Sequence, residues 1–129
     1  MRVLVDTHTW LWMLASPARL PGRVRDAVGD MSTEVLLSAA SSWEIAIKFQ
    51  LGKLALPEAP TSFVPSRLVA SGCTGLAIEH AHALRAGLLP PHHRDPFDRL
   101  LIAQAQLLGA PLASGDRVFD AYDVELLWD

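Results

Sequence analysis

Short apolar runs alternate along this chain with longer segments of helical period, and few folds accommodate that order. Val3-Leu4-Val5, Glu34-Val35-Leu36-Leu37-Ser38, Leu76-Ala77-Ile78 and Pro111-Leu112-Ala113-Ser114 read as strands, with Val124 to Leu127 a candidate fifth. Between them, Thr7 to Leu14, Val24 to Val28, Ala40 to Leu51, Thr61 to Ser71, Glu79 to Leu88 and Pro96 to Leu108 read as helices. Thr7 can cap the first of these. Gly52 and Gly109 stop two others, and Asp95 with Pro96 supplies an N-cap and first-turn proline for the last. On the third helix the expected apolar face is Trp43, Ile47 and Leu51, flanked by Ile45, Ala46 and Phe49. Strands joined by helices of about ten residues make a mainly parallel sheet with helices on both faces. The expected fold is therefore α/β, an α/β/α sandwich. At 129 residues it is a single domain over 1–129.

Composition narrows the function classes. The chain is 50% hydrophobic and 19% charged, which is globular rather than disordered. A net charge of -3 argues against a non-specific nucleic-acid coat, which would be basic. It leaves room for an enzyme with a small nucleic-acid site. The single Cys73 excludes an internal disulfide or a multi-cysteine metal site and suits a reducing compartment. No stretch approaches the roughly 20 apolar residues of a membrane helix. The expectation is a cytoplasmic, soluble protein.

Four acids fall where chemistry is expected. Asp6 ends the first strand, Glu44 lies early in the helix after the second, Asp98 is in the first turn after the proline loop, and Asp116 follows the fourth strand. In an open α/β sheet the carboxyl ends of the strands form the ligand crevice. Each acid has an ordinary role available: Asp6 and Asp116 as caps, Asp98 against a helix dipole. Glu44, among Trp43, Ile45 and Ile47, is harder to explain as a solvated charge. Acids gathered within about 5 Å repel by roughly 3–4 kcal/mol per pair at an effective dielectric near 20. No lysine or arginine is expected among them, and Arg99 sits only next door. A divalent cation resolves the repulsion, and an all-oxygen set suits Mg2+ or Mn2+.

With these residues assembled, the chain resembles the PIN-domain family, and within it the VapC-type toxins of prokaryotic toxin–antitoxin modules. The stretches that carry the resemblance are VLVDTHTWLWML, SAASSWEIAIKFQLGKL, HHRDPFDRLLIAQAQ and SGDRVFDAY. The resemblance covers essentially the whole chain, in the right order. The resemblance implies a Mg2+- or Mn2+-dependent ribonuclease, with the metal and the chemistry at Asp6, Glu44, Asp98 and Asp116. Asp95 also matches a recurring acid and is assigned to capping; Ser114 matches a hydroxyl position near the last acid. The implied partners are RNA, a cognate VapB-like antitoxin lying across the active-site groove, and a second copy in a homodimer.

On this reading the metal activates water for in-line attack on a phosphodiester, and Glu44 or Asp116 takes the proton. Lys48, Arg94, Arg99 and Arg117 are the candidates for phosphate contact. A haloacid-dehalogenase-type phosphatase is the competing enzyme class, but it needs Asp-x-Asp, and His8 stands two residues after Asp6. A non-catalytic partner-binding domain is the other alternative. His92 and His93 beside Asp95 are discounted as a zinc site, His80 and His82 are expected at the surface, and Cys73 is expected to be structural. Of Trp10 and Trp12, one belongs in the core and the other at an interface.

Overall fold

Five parallel strands occur in the order β3-β2-β1-β4-β5, and the computed structural model describes all residues 1–129. In chain order the elements are β1 (Arg2–Val5), α1 (Thr7–Ala15), α2 (Gly22–Gly29), β2 (Glu34–Ser38), α3 (Ala39–Gln50), α4 (Pro60–Ser71), β3 (Thr74–Leu76), α5 (His80–Leu88), α6 (Pro96–Leu108), β4 (Leu112–Ala113) and β5 (Leu126–Leu127). Single 3-10 turns occupy Pro17–Arg19 and Arg117–Ala121.

The unbroken apolar runs of β1 and β2 follow from burial on both faces of the sheet. Val3, Val5, Val35, Leu37, Ala113 and Leu127 face one way, against Trp10, Leu20, Val24, Ile45, Phe63 and Val64. Leu4, Leu36 and Leu112 face the other way, against Leu101, Ile102, Ala105, Phe119 and Tyr122. Register is set by pairs such as Val3 with Val35 and Leu4 with Leu112. Helix α6 starts and stops as its sequence indicates. Asp95 Oδ1 accepts from the Asp98 N–H at 3.0 Å, Pro96 opens the first turn, and Gly109 ends the helix in the left-handed region at φ 61°. No helix is long and apolar enough to cross a membrane.

Four local expectations are corrected. Of the two residues read as a cap for α1, Asp6 fills the role and Thr7 does not, because the Asp6 carboxylate reaches the Thr9 N–H. The third strand is Thr74–Leu76 rather than Leu76–Ile78. Gly72, at φ 70°, turns the chain sharply out of α4, so pairing with β2 begins at once, and Glu79 already caps α5. His82 is buried rather than superficial: its Nδ1 accepts from the Glu79 N–H at 2.9 Å and faces the Gln104 amide at 3.3 Å. On α3 the buried residues are Ala40, Ser41 and Ile45, while Trp43 and Leu51 are 54% and 63% exposed. Its large apolar residues Trp43, Ile45, Ile47 and Phe49 fall on several sides of the helix, so periodicity alone could not select the inner face.

Candidate active site

β1 lies between β2 and β4, which come from opposite ends of the chain. Such a switch point opens a crevice at the carboxyl ends of the strands. Asp6, the residue after β1, sits there almost fully buried. Its Oδ1 accepts from the Thr9 N–H at 2.8 Å, and its Oδ2 accepts from Ser114 Oγ at 2.5 Å. Ser114 is the residue after β4, and its Oγ also accepts from the Asp116 N–H at 3.1 Å. Asp116 is exposed and caps the following 3-10 turn, accepting from the Val118 N–H at 3.0 Å.

Toward β2, Thr7 Oγ1 donates to Glu44 Oε1 at 2.6 Å. Lys48, one helical turn after Glu44, places its Nζ 2.8 Å from Oε2. A cation therefore does stand among the acids, contrary to expectation. An i,i+4 pair with the glutamate on the N-terminal side is a favourable arrangement on a helix. The hydrogen-bonded row Asp116–Ser114–Asp6 is continued through the adjacent Thr7 to Glu44.

Asp98 adjoins the far end of this row. Its Oδ2 is 2.7 Å from His93 Nε2. Burial pushes the Asp98 carboxyl up to about 6; the His93 hydrogen bond pulls it down, and the charges of Asp95 and Glu44 push it up again. His93 is itself held, its N–H donating to Tyr122 Oη at 2.9 Å and its carbonyl accepting from Arg99 at 3.0 Å.

Hydrogen bonds link the Asp6, Glu44 and Asp116 segments along one edge, and Asp98 feels the charge of Glu44, but no three carboxylate, imidazole or thiol groups stand close enough to hold one ion. Asp6 and Glu44 have both oxygens engaged by protein donors, and Asp98 has one engaged. In kind, the oxygen donors fit a hard divalent cation. To close a shell around one, the side chains must exchange these donors and converge.

Of the expected phosphate contacts, Arg99 is corrected. Its guanidinium donates to the carbonyls of Ala86, Leu89, Pro90 and His93 at 2.8–3.0 Å, tying the proline loop to the end of α5. Lys48 is paired with Glu44 and Arg117 with Asp120, while Arg94 is exposed. Sequence reasoning missed the tie from His93 to Asp98, since five residues across a proline loop carry no periodic signal. The Lys48 pairing was available from its i,i+4 spacing.

The PIN domain family model matches residues 3–125. The chain belongs to the PIN-domain family. This PIN domain is 45% identical over 75 residues to the Ribonuclease VapC16 of Mycobacterium tuberculosis, covering 53% of each protein, so it spans about half the length of that relative. Its fold is similar to that of VapBC2 from Rickettsia felis bound to a DNA fragment from its promoter, at TM-score 0.73 and 15% identity over 100% of both chains. It is also similar to DNA-bound VapBC from Salmonella typhimurium, at TM-score 0.72 and 16% identity over 98% of this chain and 96% of the other. FitAcB from Neisseria gonorrhoeae follows at TM-score 0.58 and 19% identity, over 97% and 96%. At these identities the structural matches establish the PIN fold, a five-stranded parallel sheet flanked by helices.

Proposed function

We propose that this PIN domain is a divalent-metal-dependent RNA endonuclease and the toxin of a toxin–antitoxin module. The observation that carries the reading is the row of acids from four remote segments along one sheet edge. The partial match to a protein named as a ribonuclease points the same way.

Asp6, Glu44, Asp98 and Asp116 are the residues we assign to Mg2+ or Mn2+. When bound, such an ion supplies charge stabilisation at the phosphoryl group and a more acidic water. Asp6 is the fixed member, its orientation set by Thr9 and Ser114. His93 orients Asp98. Asp116 is exposed and has one oxygen outside its cap, which makes it the better placed of Asp116 and Glu44 to take the proton from an attacking water. The partners we assign are RNA as substrate, a VapB-like antitoxin, and a second copy of the chain. The resemblance of the fold to toxin–antitoxin complexes supports the antitoxin.

The test is cleavage of structured RNA by the purified protein with Mg2+ or Mn2+, against para-nitrophenyl phosphate as a control. Asp6→Asn and Asp98→Asn should each abolish cleavage while the circular dichroism spectrum stays that of the unchanged protein. Retained cleavage in either variant, or hydrolysis of the small ester alone, would overturn the reading.

A further inference from the structure

The acid row opens on one side into a cleft of about 290 Å³ lined by Asp6, His8, Thr9, Trp12, Gly115, Asp116 and Trp128. Two of its walls are indoles. The Trp12 and Trp128 rings lie 6.1 Å apart at 46°, and His8 stands 6.4 Å from Trp12. Neither indole belongs wholly to the core: both are half-buried, whereas Trp10, two residues from Trp12, is fully enclosed. The Arg19 guanidinium lies over Trp12, 4.5 Å from the ring centre. Gly115 is what lets Trp128 reach this position, since a Cβ there would come within 2.8 Å of the indole.

Aromatic faces beside a cation are the recurring means of holding single-stranded nucleic acid, because every base has a π-face. Two carboxylates in the same cleft repel a phosphate; Arg19, stacked on Trp12 though not itself lining the cleft, carries the charge to offset that repulsion for the backbone next to a stacked base. We infer that Trp12 and Trp128, with Arg19, form a base-stacking subsite that seats a nucleotide flanking the scissile phosphate of single-stranded RNA. This rests on the ribonuclease reading and adds the residues that choose the register of cutting. Arg19 and Trp128 lie outside the four acidic segments, so nothing in the acid pattern points to them.

The experiment measures binding of short fluorescent oligoribonucleotides to the Asp98→Asn protein, in which cleavage is blocked. Each oligonucleotide is compared with versions carrying a single abasic position. Trp12→Ala and Trp128→Ala should each weaken binding roughly ten- to hundredfold. That loss should vanish for the oligonucleotide whose abasic position already lacks the stacked base. Trp12→Phe should restore most of the affinity, and Arg19→Gln, an exposed change without risk to the fold, should weaken binding and lower its salt dependence. In the cleaving protein, Trp128→Ala should shift or spread the cut positions. Equal binding by the alanine variants, or the same loss with and without the base, would overturn the subsite; the second result is that of a cleft shaped for a polypeptide. If RNA is cleaved while these variants behave as the parent, the subsite fails and the ribonuclease reading stands. If no RNA is bound or cleaved by any form, both fail.

Discussion

Asp98 is where solvent pH acts most directly on this fold. Its carboxyl titrates near 6 in the folded chain against an ordinary 3.8, so folding favours the protonated form. Stability from this group is complete below about pH 4 and is lost as pH rises through about 6, because the unfolded chain gives up its proton first. A shift of about two units corresponds to roughly 3 kcal/mol. The expected outcome is a melting temperature that falls between pH 5 and pH 7.5 by several degrees more in the parent than in Asp98→Asn; parallel curves would show that Asp98 is not the group responsible. Added Mg2+ or Mn2+ should raise the parent's melting temperature more at pH 7.5 than at pH 5, since an ionised Asp98 is what a cation neutralises. His93→Ala removes the one side chain bonded to Asp98 Oδ2. Calorimetry should then show weaker Mn2+ binding, partly regained in His93→Gln, with unfolding little changed.

At the scale of elements, α6 and the loop before it form one positioning unit. Asp95→Ala removes the N-cap bond to the Asp98 N–H and should lower stability by about 1 kcal/mol in urea titration. Arg99→Ala removes a donor from four carbonyls, of which that of Pro90 keeps the Tyr122 hydroxyl, and should cost more, roughly 2–4 kcal/mol. Arg99→Lys should not recover it, because an ammonium cannot reproduce a planar fork of five donors. The ends of α6 were legible from Asp95, Pro96 and Gly109 because capping is local chemistry. Helix α3 was not legible in the same way: with Trp43, Ile45, Ile47 and Phe49 on several sides, its orientation is set by how it leaves β2 rather than by its own pattern. The role of Arg99 was hidden for a related reason. Its acceptors belong to α5 and the proline loop, and a guanidinium next to an acid looks the same in sequence whether it meets a phosphate or a carbonyl.

Across the whole molecule, each face of the sheet carries its own apolar cluster, and both clusters draw on the same strands. We propose that the chain unfolds as one domain: far-ultraviolet circular dichroism and tryptophan fluorescence should give coincident transitions, and Ile102→Ala should move both midpoints together, with a common loss of roughly 2–5 kcal/mol in unfolding free energy. Separate transitions would divide the two faces. The parallel sheet, with Asp6 and Asp116 beyond the carboxyl ends of β1 and β4, was readable because strand direction and alternation dictate it. The donors that Thr7, Ser114 and His93 bring to those acids were not, since hydroxyl and imidazole groups find their partners only after the strands have met. The position of β1 has a further consequence. Its partner β4 begins at Leu112, so Asp6 gains Ser114 and the carbonyl of Ala113 only across more than a hundred residues of chain. During synthesis Asp6 precedes Ser114, so the crevice cannot assemble until translation has passed Ser114. Contacts so distant in sequence also close slowly. The activity proposed for this site is thereby withheld until nearly the whole domain has been synthesised.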